Sequence, residues 1–147
     1  MTGDMPPGQV ILHAGCVAVD GRGLLIRGAS GAGKSALALQ MMALGAELVG
    51  DDRILLDRDG DGLRARAAPN LAGLIEARGL GILKAAARDH CRIAAVIDLD
   101  RDEPDRLPPL RQTQLLGQSV TLLYRVPGAH AAAAHILFLK AGRQDPT

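Results

Sequence analysis

Aromatic residues are nearly absent: Tyr124 and Phe138 are the only two in 147 residues, and tryptophan is missing. The core must therefore be built from Leu, Ile, Val and Ala, and the aromatic platforms on which single-stranded nucleic acid stacks are not available. An excess of one charge is also lacking. Lys and Arg number 17 against 16 Asp and Glu, a net charge of +1 with no basic tract. Electrostatic capture of nucleic acid or of an anionic membrane is therefore not indicated. No run approaches the roughly 18 apolar residues of a membrane span, and Met1 to Gln9 has no apolar centre for a signal peptide. Cysteine is limited to Cys16 and Cys91, neither with a C-x-x-C partner. That argues against a zinc or redox site and fits two buried free thiols in a reducing compartment. The expected location is the cytoplasm.

With 48% hydrophobic and 22% charged residues, the chain has the composition of one globular domain spanning 1–147, with 1–8 and 141–147 as loose tails. Its organising stretch is Gly28-Ala29-Ser30-Gly31-Ala32-Gly33-Lys34-Ser35, which fits G-x-x-x-x-G-K-[ST]. Leu24 to Arg27 reads as a short buried strand feeding into it, and Lys34 to Leu44 as the helix leading out, stopped by Gly45. In that setting glycines let successive backbone N–H groups turn toward phosphate oxygens, above the positive end of the helix dipole. Lys34 would reach the β- and γ-phosphates, and the Ser35 hydroxyl would ligate Mg²⁺. The motif predicts a nucleoside triphosphate site.

Around it, Val10–His13 and Cys16–Val19 read as strands, with Asp20–Gly23 as hairpin turn chemistry. Ala46–Val49 is a strand ending in Gly50-Asp51-Asp52, and a hydrophobic strand delivering carboxylates at its carboxyl end is where a parallel sheet places ligand chemistry. The right-handed crossover rule puts this strand next to the phosphate-loop strand, with one carboxylate for the metal shell and one to take a proton. A second acid pair, Asp98/Asp100, follows the strand Arg92–Asp98 and reads as part of a solvated loop. Asp57 to Gly62 alternates acids, but Ala68 stands where a calcium loop needs its bidentate Glu, so the segment reads as a hairpin tip before the strand Leu63–Ala67. Leu74 to Leu83 reads as extended, with Glu76 and Arg78 on one side as either a functional pair or a simple ion pair. Arg101 to Leu110, with three prolines and five charges, reads as a mobile surface loop. Val120–Tyr124 is a strand and Ala131–Lys140 a closing helix, apolar on much of its surface. His13 alone reads as a structural histidine, and His90, His130 and His135 carry no metal spacing.

Together, Leu12-His13-Ala14-Gly15, the loop 28–35, Leu48-Val49-Gly50-Asp51-Asp52 and Ile75-Glu76-Ala77-Arg78-Gly79-Leu80-Gly81-Ile82 resemble the catalytic domain of HPr kinase/phosphorylase, in a short form without the N-terminal domain. The likeness runs from about Gly8 to Lys140. It implies an α/β, P-loop NTPase-like kinase domain with a central mixed sheet flanked by helices. It also implies an ATP- and Mg²⁺-dependent serine kinase acting on an HPr-like phosphocarrier protein, able to remove the phosphate by phosphorolysis, and assembled as a homo-oligomer, typically a hexamer. By the same resemblance Asp51 is the base, His13 stands near it and tunes it, Ser35, Asp52 and Glu76 lie at the metal, and Lys34 and Arg78 order the phosphates. Ala29 and Ala36 depart from the acids common in longer members, and Pro127-Gly128-Ala129-His130 departs from their Arg-Asn after Pro-Gly. From the residues alone, a small-molecule kinase and a non-catalytic nucleotide sensor remain open.

Overall fold

Asp20 and Gly21 reverse the chain with φ of 52° and 78°, the paired positive dihedrals of a two-residue hairpin turn. They join β2 (Ala14–Val19) to β3 (Arg22–Arg27), which pair antiparallel from Val19↔Arg22 to Ala14↔Arg27. The computed structural model that contains this hairpin describes residues 7–145; most of the expected N-terminal tail lies outside them.

Beyond β3 come α1 (Lys34–Ala43) and β4 (Glu47–Gly50), then the hairpin β5 (Ile54–Asp59) and β6 (Gly62–Ala67), with β1 (Gln9–Leu12) paired to β5. A second hairpin, β7 (Leu74–Ala77) and β8 (Gly81–Lys84), stands as its own two-stranded sheet. The long strand β9 (Cys91–Asp102) lies in the middle of the main sheet. It runs parallel to β3 on one edge, and on the other meets first β6 and then, in parallel, β11 (Gln118–Arg125). β10 (Gln112–Leu115) borders β11, and α2 (Ala131–Ala141) closes the described chain. The mixed sheet and helices agree with the expected fold class, with both helices on one face.

Strand alternation explains the two-sided core. Leu24, Ile26, Ala95 and Ile97 face the helices, where they pack with Leu37, Met41, Ile136 and Leu139. Leu25, Val96 and Cys16 face the other way and are covered by Ile54, Leu56 and Leu63 of the β5–β6 hairpin. Met41, fully buried, alone contributes on the order of 1.5–3 kcal/mol through removal of its side chain from water. Arg22 ties strand to helix by donating from Nη1 to the carbonyls of Leu139 and Lys140, both at 3.2 Å, where the α2 dipole is negative.

Three expectations are corrected. β4 is not adjacent to β3, because β2 pairs with both and stands between them; the parallel neighbour of β3 is β9. The Arg101–Leu110 segment begins inside β9, and the chain beyond it forms β10. Glu103 and Arg111 pair there with side chains only 8% and 20% exposed, and the guanidinium lies 4.4 Å from the Tyr124 ring centroid. A nearly buried ion pair stacked on the one tyrosine ties this loop to the sheet. Leu74 to Leu83 turns back on itself instead of running extended, with Arg78 in the reversal.

Cys16 and Cys91 are buried free thiols, as expected, yet their sulfurs meet at 3.6 Å from 75 residues apart. Gly23 makes this possible, since a Cβ there would overlap Cys91 Sγ. The neighbouring thiol, and then burial, push the Cys16 thiol well above its ordinary pKa, which leaves it unreactive. The acids of the β5–β6 tip are spent on arginines: Asp57 takes a forked contact from Arg64 at 3.2 and 3.1 Å, and Asp61 accepts from Arg92 at 2.7 Å.

Candidate active site

The loop 28–35, the expected phosphate loop, leaves β3 at Gly28 and enters α1 at Lys34. Gly31 and Gly33 take φ of 86° and 101°, which only glycine adopts freely, and a Cβ at either would meet nothing within 4 Å. The loop therefore opens on empty space. Gly33 precedes α1 without any side-chain cap, so the first amides of the helix are free for an anion. Lys34 Nζ folds over the loop and donates to the carbonyls of Gly28 at 2.7 Å and Ala29 at 3.1 Å. This donor set fits a nucleotide's phosphates.

One loop amide is taken by a side chain. Ala29 N–H donates to both carboxylate oxygens of Asp100, at 2.9 and 3.1 Å, and Asp98 Oδ1 accepts from the Asp100 amide at 2.9 Å. The pair that reads as solvated in the sequence thus latches the first turn of the loop to the end of β9. The sequence signal, two acids closing a hydrophobic strand, was visible; its target was not.

The other acid pair comes from β4. Asp51 is 6% exposed and both of its oxygens are occupied. Oδ1 accepts from the Ser35 hydroxyl at 2.9 Å, and Oδ2 from the Glu76 backbone N–H at 3.0 Å. Asp52 behaves differently. Its φ is 73°, and Arg53 N–H donates to the Asp51 carbonyl at 2.8 Å across it, the γ-turn of positive φ, which is rare and strained. Ala14 N–H, donating to the Asp52 carbonyl at 3.2 Å, helps hold the kink. The Asp52 side chain is 62% exposed and meets His13 Nε2 at 3.1 Å. His13, expected from its own position to be structural, is itself 67% exposed and faces this carboxylate.

These groups line one cavity of about 550 Å³, between the phosphate loop and the β7–β8 hairpin. His13, Lys34, Ser35, Asp51, Asp52, Glu76 and Arg78 all border it, so every side chain singled out in the sequence for catalysis or metal binding is brought together. Ala29 is turned to Asp100, and among the described residues Glu76 and Arg78 form no ion pair with each other. Ser35 bonds Asp51 and not Asp52, which separates two members of the expected metal set. The described residues hold no cluster of three or more His, Cys, Asp or Glu able to cage a metal alone. Ser35, Asp51, Asp52 and Glu76 carry the oxygen donors at the cavity that a Mg²⁺ could use, an ion that binds through one or two protein oxygens plus substrate phosphates.

Sequence reasoning missed His135. It lies in α2, 4% exposed, with Nε2 lacking any hydrogen-bond partner. Burial, and then the nearby His130, lower its pKa to about 4, so the ring is neutral at pH 7. Nothing in an alanine-rich helix signals this.

The family described as HPr Serine kinase C-terminal domain matches residues 7–122. An HPr kinase/phosphorylase from a Geobacillus species is 40% identical over 103 residues, covering 65% of this chain and 33% of that protein. One from Aromatoleum aromaticum is 39% identical over 119 residues, covering 72% and 38%. The chain thus spans between a third and two fifths of the length of these relatives. The structure of the HPr(Ser) kinase/phosphatase from Coxiella burnetii superposes with a TM-score of 0.77 at 25% identity, covering 89% of this chain and 94% of that one. No described helix is long and apolar enough to cross a membrane. With the match running over most of its length, the chain belongs to the HPr serine kinase C-terminal domain family.

Proposed function

We propose that the chain is an ATP- and Mg²⁺-dependent kinase that phosphorylates a serine of an HPr-like phosphocarrier protein, works in the cytoplasm as a homo-oligomer, and can reverse the transfer by phosphorolysis. The observation that carries this reading is the divergence of Asp51 and Asp52. One carboxylate is bonded to the phosphate-loop serine, and the next is presented beside a histidine on the same cavity. A nucleotide sensor needs only the first.

Bound Mg²⁺·ATP supplies the γ-phosphoryl group and the positive charge that neutralises it. The amides at the start of α1 and the Lys34 ammonium hold the phosphates. Ser35 Oγ holds the metal, with Asp51 accepting its proton and so turning a lone pair outward; Glu76 adds negative charge at the cavity wall. Asp52 takes the serine proton as the new O–P bond forms and the bond from the γ-phosphorus to the leaving ADP oxygen breaks. In the reverse direction inorganic phosphate attacks the phosphoserine phosphorus, the P–O bond to serine breaks as pyrophosphate forms, and Asp52 returns the proton to the serine oxygen. His13 orients Asp52, and Arg78 meets charge developing on the transferred group.

This assignment inverts the roles that resemblance gives the two aspartates. Asp51 is nearly buried, and each of its oxygens already accepts a hydrogen bond, which makes it the less accessible of the two to a protein hydroxyl. Asp52 is open to one. The test is incubation with γ-labelled ATP, Mg²⁺ and HPr-like carriers, followed by mapping of the label. A labelled serine is expected. ATP binding without transfer would leave a sensor, and transfer only to small acceptors would leave a small-molecule kinase.

A further inference from the structure

We propose that a second cavity, on the far side of the phosphate loop from Asp51, receives the base of the bound nucleotide, with His135 as its hydrogen-bonding wall. The proposal rests on the nucleotide reading above and extends it to the part of the ligand that the phosphate loop does not touch.

The cavity has a volume of about 260 Å³ and lies between α1, the end of β9 and the β11–α2 connection. Gly33 and Ala36 border both this cavity and the larger one. A ligand whose phosphates rest on the loop therefore has one end toward the aspartates and the other toward this space. β3, β9 and β11 run parallel, so the cavity sits outside their carboxyl ends, where open α/β sheets take ligands. Ile97, Leu99 and Pro127 give it apolar walls, and Gln40 and Arg125 a polar edge.

His135 is the independent sign that something binds. The residue is 4% exposed and lines the cavity, and its Nε2 has no hydrogen-bond partner among the described residues. Buried polar atoms are rarely left unpaired. The ring is neutral at pH 7, so it offers one N–H and one bare nitrogen. A neutral imidazole suits the edge of a heterocyclic base and not a phosphate, which would call for a cation. Arg125 at the rim can lie over the face of such a base.

The test compares ADP with inorganic pyrophosphate in the presence of Mg²⁺, by calorimetry on the full chain. Wild type should bind ADP more tightly than pyrophosphate. His135→Phe removes the hydrogen-bonding nitrogen. Ala131→Leu, at the first position of α2, fills the cavity with a good helix former. Each should weaken ADP about tenfold or more while pyrophosphate stays within about twofold, the tenfold corresponding to one lost hydrogen bond. Should His135→Phe fail to fold, Ala131→Leu decides alone. Unchanged ADP affinity in Ala131→Leu, equal losses for the two ligands, or a wild type that binds pyrophosphate as well as ADP would each overturn the base site while leaving the phosphate loop standing. A wild type that binds neither would overturn the phosphate-loop reading, and this proposal with it.

Discussion

Replacing Asp51 and Asp52 separately by Asn should produce two different defects. In Asp51→Asn one oxygen becomes an NH₂ group. The Glu76 backbone N–H can only donate, so the amide oxygen must stay on it, and the NH₂ must face Ser35. The Ser35 hydroxyl can adapt by accepting, but it then spends on the amide one of its two lone pairs, leaving a single one for a metal. Two charge-assisted bonds become neutral ones, weaker by about 1 kcal/mol each. Relief from burying a charge offsets part of that, for a net destabilisation of about 1 kcal/mol. The larger effect is on metal. Unit charges about 4 Å apart interact by about 1 kcal/mol in bulk water and about 4 kcal/mol at an effective dielectric near 20, so losing one beside Mg²⁺ should raise the half-saturating Mg²⁺ concentration by about 10- to 1,000-fold. Excess Mg²⁺ should restore most of the rate.

Asp52→Asn keeps a residue tolerant of positive φ, and its side chain is largely in water, so stability should hold. Transfer should fall by about 10²- to 10⁴-fold, the usual worth of a general base, and no amount of Mg²⁺ should recover it. The assay is phosphoryl transfer to the carrier serine across a Mg²⁺ titration, with thermal unfolding in parallel. If Asp52→Asn is rescued by Mg²⁺ and Asp51→Asn is not, the roles are the reverse and the argument from the γ-turn is wrong.

Lys34→Ala removes the one side-chain cation that folds over the phosphate loop, and ATP titration should report an affinity lower by about 10- to 100-fold with the fold intact. His135 stays neutral in the folded protein down to about pH 4, whereas the unfolded chain takes up its proton near pH 6.5. Its contribution is therefore complete above pH 6.5 and lost as pH falls toward 4, by about 3 kcal/mol; denaturant titrations of wild type and His135→Phe should differ in that slope, and parallel slopes would contradict the assignment. Homo-oligomerisation is expected because Leu137 on α2 is 66% exposed beside other apolar residues of that helix, and light scattering that returned a monomer across micromolar concentrations, with and without ATP, would count against it.

What the sequence made legible is what is local in the chain. The phosphate loop is eight consecutive residues whose glycines, lysine and serine must stand at fixed spacing, so pattern and geometry coincide. Asp51/Asp52 were legible for the same reason, as a doublet ending a hydrophobic strand. Their strand order was not. The inference from β3 through α1 to a neighbouring strand reached this doublet by way of the wrong neighbour, because β2 takes the place beside β3 by hairpin pairing, and that register is set by contacts outside the βαβ unit. Long-range meetings were equally hidden: Asp100 on the Ala29 amide, 71 residues apart, and Cys16 against Cys91 above Gly23. β10 was lost because Gln112-Thr113-Gln114-Leu115 has little apolar alternation and sits behind a proline-rich run, so only its pairing with β11 makes it a strand.

The kink at residue 52 explains how two adjacent acids can line one cavity at all. On a regular strand successive side chains point to opposite faces, and two neighbouring aspartates would be divided by the sheet, one of them facing the apolar side. Here β4 ends at Gly50, where a Cβ would strike Ile54 and the backbone of Ala67, and the positive-φ turn at Asp52 then rotates the second carboxylate back so that both line the same cavity. The strain this stores, on the order of 1–3 kcal/mol, is held in place by backbone bonds on either side, from Ala14 and from Arg53. A fold needing only a metal ligand after β4 would have no use for that strain, since Asp51 reaches Ser35 before the turn begins. The turn acts on the residue that follows, and what it produces is an exposed carboxylate next to His13, open to an incoming hydroxyl.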